Sequence, residues 1–147
     1  MILLLACAGQ APEPPPTPDV VLVTLDTLRA DRVGAYGDPL AQTPRLDTLA
    51  AESALFRDAI TPVPLTLPAH TSMFSGQYPS EHGLRDNAAG VVGPEVPLVA
   101  EQMTAAGYAT GAFVSAYVLD DAFGLDRGFT TYDDALLNSR ACRVQCI

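Results

Sequence analysis

The chain has 147 residues, of which 48% are hydrophobic, and its 17 acidic and 8 basic residues give a formal net charge of −9. This length suits one domain, and the apolar fraction excludes a disordered chain. The negative charge argues against a nucleic-acid partner, because affinity for a phosphate backbone is built from clustered Lys and Arg. An enzyme that uses a cation is compatible with it, although acidity alone usually serves solubility.

The first 19 residues predict an export segment followed by a tether. Leu4 to Cys7, "LLAC", resembles the lipobox of bacterial lipoproteins, in which the Cys is lipidated after signal cleavage. The apolar stretch is short and no basic residue precedes it, which a start codon placed too far downstream would explain. Residues 11–19, "APEPPPTPD", indicate a semi-rigid spacer. We expect an exported protein, periplasmic or attached to the envelope membrane through a lipidated Cys7; a disordered N-terminal tail is the alternative.

Four runs have the composition of strands. The first, "VVLVTL", is rich in β-branched residues and predicts a strand buried on both faces of a parallel sheet. Asp26 follows its C-terminal end, where open α/β sheets place ligands and catalytic groups. The four predicted strands are residues 20–25, 54–60, 108–114 and 128–133.

Three segments between these runs carry helix signals. Thr43 at the N-cap and Pro44 at the first position open the first of them. Thr66 stands near the cap of the second, which ends at Gly76, and Gly107 closes the third. Strands that alternate with helices predict an α/β fold with a mainly parallel sheet sandwiched by helices. The three predicted helices are residues 44–53, 66–76 and 97–107.

The final stretch, "LLNSRACRVQCI", loses all periodicity. We expect an irregular tail from residue 135 to residue 147, left by a frameshift or a truncation. Its Cys142 and Cys146 do not form a CxxC pair, so no zinc site is predicted there. The predicted organisation is an N-terminal segment (1–19), a domain (20–134) and this tail.

Four linked stretches carry a likeness to a known family: "VVLVTLDTLRADRVGAYG", "TPRLDTLAAESALFRDA", "PLTLPAHTSMFSGQYPSEHG" and "GYATGAFVSAYVLDDAFGLDRGFTTYDD". In order and spacing they resemble successive blocks of the sulfatase family, in the alkaline phosphatase superfamily, from about Asp19 to Asp134. The resemblance implies an alkaline-phosphatase-like α/β/α sandwich and a divalent metal ion (Ca, Mg, Mn or Zn). It also implies that the sandwich is incomplete here, because family members are several hundred residues long and their second metal-ligand pair has no counterpart.

Asp26 matches the family's first metal-binding aspartate. Carboxylate oxygens on a rigid strand end suit a hard divalent cation, and a helix-capping Asp is the alternative. The second Asp that usually follows is Thr27 here, so a less anionic site is expected. Asp31 is interpreted as a structural residue of the "LRAD" turn, and Arg29 as a surface residue.

Thr66 matches the catalytic position of the family signature C/S-x-P-S-R, which here is "TLPAH". Sulfatases oxidise that Cys or Ser to formylglycine, whereas the extra methyl of Thr would yield a ketone, so formylglycine is not expected. Other branches, including nucleotide pyrophosphatases and lipoteichoic acid synthases, use Thr directly as a metal-activated nucleophile. A cation and a helix N-terminus would both assist such a hydroxyl. We predict that Thr66 is the nucleophile and contacts the metal; the alternative is a simple helix cap.

His70 replaces the signature arginine. It is predicted to transfer a proton or to pair with an anionic ester, and a structural histidine is the alternative. His82 is interpreted as structural, and the polar cluster at 85–87 as a solvated turn. Ser115 and Tyr117 stand where the family's Lys and His contact sulfate, so two expected substrate contacts are missing.

These residues favour part of a metal-dependent hydrolase of sulfate or phosphate esters, acting on a small-molecule, glycan or lipid substrate. The isolated chain is expected to have little activity. Two alternatives stay open: a phosphotransferase that passes a group from Thr66 to another alcohol, and a non-catalytic remnant attached to the envelope.

Overall fold

A computed structural model describes residues 18–87 and 89–135 of the chain. Short helices and loops dominate this part, with one pair of strands. It also contains four 3₁₀ helices, at Ala30–Arg32, Gly34–Tyr36, Tyr117–Leu119 and Asp121–Phe123. The helices are α1 (Pro44–Glu52), α2 (Thr66–Ser75), α3 (Pro79–His82) and α4 (Val99–Ala105), and the strands are β1 (Gly111–Phe113) and β2 (Thr131–Asp133).

All three predicted helices are confirmed, with small differences at their ends. Proline at the first position of α1 costs no hydrogen bond, because the first N–H groups of a helix have no partner within it. α2 ends at Gly76, whose φ of 71° is left-handed and whose N–H donates to Ser72 O. α4 begins at Val99, two residues later than predicted, where Glu101 accepts a hydrogen bond from Leu98 N.

β1 and β2 form a parallel pair, as the sequence predicts, in the register Gly111↔Thr131, Ala112↔Tyr132 and Phe113↔Asp133. Tyr132 anchors the second strand, because its hydroxyl donates to Leu119 O at 2.5 Å. Burial raises the pKa of this phenol to about 12, so it remains a donor at neutral pH. The parallel pairing, together with the α-helices that precede it, agrees with an α/β architecture.

The hydrophobic core lies against the inner face of α2. Leu67 of α2 is fully buried and packs in one cluster with apolar side chains from the N-cap of α4, from two 3₁₀ helices and from the loops between the elements. Fully burying side chains of this size contributes roughly 1.5–3 kcal/mol each. The core residues are Leu67, Leu84, Val92, Val96, Leu98, Leu119, Phe123 and Leu125.

Two of the predicted strands are absent from the described residues. Residues 54–60 form turns and irregular chain. Residues 20–25 form no strand either, and their side chains are exposed, with Val21 at 82% and Val23 at 73%. A β-branched run marks where a strand is favourable, but burial requires neighbouring strands and covering helices, and no described segment supplies them here. The prediction of a strand buried on both faces is therefore wrong for this structure.

Several expectations lie outside the described residues. They concern the lipidated Cys7, most of the proline-rich tether and the tail from residue 136 onward. Within the part of the chain that the structure describes, no helix is long and apolar enough to cross a membrane.

The loop before β2 passes very close to the first turn of α4. A Cβ on Gly128 would lie against Glu101 N and 2.5 Å from Ala100 C, and its φ is +85°. Arg127 attaches the same loop to the chain before α4, because its guanidinium donates to Val96 O at 2.7 Å and to Pro94 O at 3.2 Å. Gly107 has a similar φ of +92° but open space around its Cβ position.

These two glycines make a matched pair. We expect Gly107→Ala to cost about 1–2 kcal/mol in the free energy of unfolding, because it pays only for the left-handed backbone. Gly128→Ala should cost about 1–3 kcal/mol more, because its methyl group also collides with α4. Urea denaturation of both variants measures the difference, and equal losses would show that the close approach is absent in solution.

Candidate active site at the N-terminus of α2

The hydroxyl of Thr66 faces a carboxylate from 40 residues earlier in the chain. Thr66 is the first residue of α2 and Leu65 occupies the N-cap position, with no side-chain cap. Thr66 Oγ1 donates instead to Asp26 Oδ2 at 3.1 Å. The interpretation of Thr66 as a simple helix cap is therefore wrong, and two of the predicted site residues are in direct contact.

A strained turn presents Asp26 to the helix. Leu28 N donates to Leu25 O at 3.3 Å, so Asp26 and Thr27 are the central residues of a turn. Thr27 has a φ of 57°, which is unfavourable for a β-branched residue and is the only positive φ of a non-glycine among the described residues. Such strain costs of order 1–3 kcal/mol and clusters at functional sites.

His70 lies below Thr66 on the same helix and is 6% exposed. Its Nδ1 is 2.8 Å from Thr66 O, and its Nε2 is 3.2 Å from Thr24 Oγ1. The ring meets Phe74 edge to face, with 6.2 Å between the ring centroids. The ring is thereby packed and bonded on three sides, and both nitrogens have partners within the chain.

The remaining groups at the N-terminus of α2 are mostly satisfied. Leu67 N donates to Asn87 Oδ1 at 2.9 Å, Pro68 has no N–H, and Ala69 N donates to Leu65 O at 3.0 Å. Thr66 N is the one amide of this turn without a partner among the described residues. The helix end thus offers an incoming anion the positive end of its dipole and one N–H, fewer amides than its position suggests.

Sequence reasoning missed two residues of this site. Asn87 belongs to the cluster that was interpreted as a solvated turn, although Asn is a preferred side chain for capping helices. It caps α2 from 20 residues away, so no local spacing signal could reveal it. Thr24 lies inside an apolar run, whose composition indicates a strand and gives no sign that the hydroxyl is functional. The signal available for it was its position two residues before Asp26.

The Asp26–Thr66 pair fits one hard cation. Adjacent oxygen ligands of Mg²⁺ at 2.0–2.1 Å from the ion are about 2.9 Å apart, and those of seven-coordinate Ca²⁺ at 2.3–2.6 Å are about 2.7–3.7 Å apart. The observed 3.1 Å between Asp26 Oδ2 and Thr66 Oγ1 is close to the first distance and within the second range. These atoms are two of the six or more oxygens that such an ion takes.

Other candidates from the sequence have structural contacts. Asp31 and Arg29 form an exposed ion pair at 2.6 Å, and the hydrogen bond from the guanidinium lowers the pKa of the Asp31 carboxyl. His82 is buried between Ser72 Oγ and Leu84 N, which agrees with its interpretation as structural. Tyr117 is exposed and packs edge to face on Phe123.

Comparison with known proteins identifies the class of the fold and then the family. Parallel strands are a feature of α/β proteins, and the family model described as Sulfatase matches residues 18–142. The chain belongs to the sulfatase family. This assignment implies the α/β fold of the alkaline phosphatase superfamily, which the helices and the parallel strand pair match in part.

Individual relatives agree with this assignment. Human arylsulfatase A is 36% identical over 115 residues, which are 75% of this chain and 22% of that protein. Arylsulfatase of Clostridium perfringens is 32% identical over 93 residues, 63% of this chain and 19% of the relative. Human N-acetylgalactosamine-6-sulfatase is 34% identical over 76 residues, 52% and 14% respectively. The matched part of the chain thus spans between 14% and 22% of the length of these curated relatives. No solved structure matches it significantly.

His82 predicts a pH dependence of stability. Leu84 N donates to its Nδ1, so the ring is neutral, and burial lowers the pKa of the imidazole from its ordinary 6.5. Below pH 6.5 the imidazole of His82 is protonated in the unfolded chain but stays neutral in the folded chain. The free energy of unfolding therefore falls as the pH falls from 6.5 to the lowered pKa. Denaturation from about pH 7.5 to about pH 5 should show this loss in the native chain and a flatter profile in His82→Gln. Parallel profiles would contradict the assignment.

The contact of Asn87 with α2 predicts that two substitutions of this residue affect stability differently. Asn87→Ala leaves Leu67 N without its acceptor and should cost about 0.5–2 kcal/mol, the usual cost of losing a helix cap. Asn87→Asp keeps an acceptor oxygen and adds a charge that favours a helix N-terminus, so most of the stability should return. Hydrogen exchange at the Leu67 amide measures the contact directly. Unchanged protection in Asn87→Ala would contradict it.

Proposed function

We propose that residues 20–134 form part of a sulfatase-type domain that hydrolyses sulfate or phosphate esters, with Thr66 as the nucleophile. The hydrogen bond from Thr66 Oγ1 to Asp26 Oδ2 carries this proposal. It joins the two positions that the family resemblance assigns to catalysis and metal binding, across 40 residues of chain. The relatives' names, arylsulfatase and N-acetylgalactosamine-6-sulfatase, favour a sulfate ester over a phosphate ester.

The geometry at Thr66 suits attack on an ester. Its hydroxyl hydrogen points to the Asp26 carboxylate, which leaves the oxygen lone pairs directed away from that partner. The positive end of α2 and Thr66 N lie beside the same oxygen and favour the negative charge of a sulfate or phosphate group. Asp26 would orient the hydroxyl and accept its proton as the new bond to sulfur or phosphorus forms and the bond to the leaving alcohol breaks, with the alkoxide taking a proton from solvent. Water would then displace the group from Thr66, which regains its hydroxyl proton.

Asp26 and Thr66 would also hold the divalent cation that the family uses, whether Ca, Mg, Mn or Zn. Such an ion lowers the pKa of a hydroxyl and neutralises the charge of an anionic ester. We do not expect formylglycine at Thr66, because oxidation of a secondary alcohol gives a ketone. The other proposed features follow the sequence: export to the periplasm or envelope, and attachment through a lipidated Cys7.

Cation binding is the first test. Titration calorimetry of the chain with each of the four cations should show stoichiometric binding that weakens at least about 10-fold in Asp26→Asn, which loses the ligand charge. Asp31→Asn is the matched control, because Asp31 is an exposed aspartate paired with Arg29. The cation affinity of this variant should equal that of the native chain. Equal affinity in the native chain and Asp26→Asn would overturn the metal site and favour a non-catalytic remnant.

The second test concerns the nucleophile. The isolated chain should hydrolyse 4-nitrophenyl sulfate or phosphate slowly, because Asp26 and Thr66 are an incomplete ligand set. Thr66→Ala should reduce cation-dependent turnover by several orders of magnitude, as loss of a nucleophile does, whereas Thr66→Ser should retain part of it. Full turnover by Thr66→Ala would exclude Thr66 as the nucleophile. A product that forms only with an added alcohol would identify a phosphotransferase.

A further inference from the structure

We propose that His70 is a positioning residue that sets the distance between Asp26 and Thr66 by joining the chain before Asp26 to the first turn of α2. This inference rests on the proposed function of Asp26 and Thr66. It gives His70 a role that the signature position alone does not suggest. His70 acts through its two partners, Thr24 and Thr66, and not on the ester.

The hydrogen-bond partners of His70 determine which nitrogen carries the proton. Thr66 O is a carbonyl oxygen and only accepts, so Nδ1 must be protonated and donate to it. In the neutral ring Nε2 then has a lone pair, which accepts from the hydroxyl of Thr24. Each nitrogen is occupied by the chain, which leaves neither free to exchange a proton with substrate.

The bridge joins two segments that otherwise have few contacts. Residues 20–25 are exposed and form no strand among the described residues, so the side chains of Thr24 and of the adjacent Asp26 attach this part of the chain to α2. One exposed hydrogen bond competes with water and holds its partners only weakly. A second bond, two residues away and made to a buried ring, restricts the approach of the segment.

The ring itself is held firmly enough to act as a reference point. His70 is buried, and Phe74 packs against its edge from the next turn of α2. Phe74 in turn meets Phe129, which contacts Tyr132 of β2. Both nitrogens of His70 are thus positioned by the aromatic packing that joins α2 to the strand pair, and Thr24 is positioned by the ring.

Two conservative changes at Thr24 test the bridge with little risk to the fold, because Thr24 is exposed. Thr24→Val removes the hydroxyl and keeps the shape and β-branching, whereas Thr24→Ser keeps the hydroxyl. NMR of the ¹⁵N-labelled chain reports the tautomer of His70, and a nuclear Overhauser effect reports proximity of Asp26 to Thr66. We expect protonated Nδ1 and a strong effect in the native chain and in Thr24→Ser. In Thr24→Val the Nε2 resonance should shift and the effect should weaken.

Cation affinity supplies a second readout. Residues that orient a metal ligand typically change affinity by 10- to 100-fold when mutated. Thr24→Val should therefore weaken cation binding about 10-fold, and Thr24→Ser should restore it. His70→Asn, which keeps a donor at the place of Nδ1 and lacks the acceptor, should resemble Thr24→Val.

The outcomes separate this inference from the proposed function. An unchanged Asp26–Thr66 proximity in both Thr24→Val and His70→Asn overturns the positioning role, whatever the cation does. Loss of turnover in His70→Asn with native proximity and native affinity would assign His70 to proton transfer instead. If proximity changes as expected but no cation binds to the native chain, the bridge is supported and the metal-dependent function fails.

Discussion

The N-terminus of α2 is the point on which the candidate site depends. Three residues of its first turns are bonded to parts of the chain distant in sequence: Thr66 to Asp26, Leu67 to Asn87 and His70 to Thr24. The first turn of any helix has amides without intrahelical partners, and here an amide and two side chains are matched to outside groups. A shift of this helix would break all three contacts together.

Helix α2 can fix the position of the site because its inner face is buried. Leu67 and Thr71 on its inner face are fully buried, and Thr71 Oγ1 donates to Leu67 O at 2.8 Å, which satisfies the hydroxyl in the core. Thr66, the residue before Leu67, is only partly buried. The helix thus packs its inner face in the core and presents its end to the strained turn at Asp26.

Helix α2 and the turn at Asp26 and Thr27 differ in what stabilises them. Helix α2 is stabilised by packing, whereas the turn at Asp26 and Thr27 carries backbone strain and exposed apolar neighbours. The strained turn is therefore oriented against α2 mainly by hydrogen bonds between side chains. This explains why two hydrogen bonds, one that Asp26 accepts from Thr66 and one that Thr24 donates to His70, are concentrated in so short a segment.

Much of the local structure was predictable from the sequence, because the signals are local. Helix caps and glycine ends located α1, α2 and α4, and runs of strand-like composition located β1 and β2, with boundaries that differ by a few residues. The motif "TLPAH" and the Asp after "VVLVTL" indicated Thr66, His70 and Asp26. Their family-level meaning agrees with the match to the Sulfatase model over residues 18–142.

Tertiary structure decided what spacing cannot express. Burial of residues 20–25 depends on neighbours, so a strand-like composition did not make a strand there. The hydrogen on Nδ1 of His70 depends on a carbonyl and on Thr24, and the cap of α2 depends on Asn87 from another loop. By itself, the sequence determined which residue types could do the chemistry and which segments could be helical. Only the folded chain decided which of them meet, because hydrogen bonds between residues 20 to 46 positions apart are set by packing and not by local propensity.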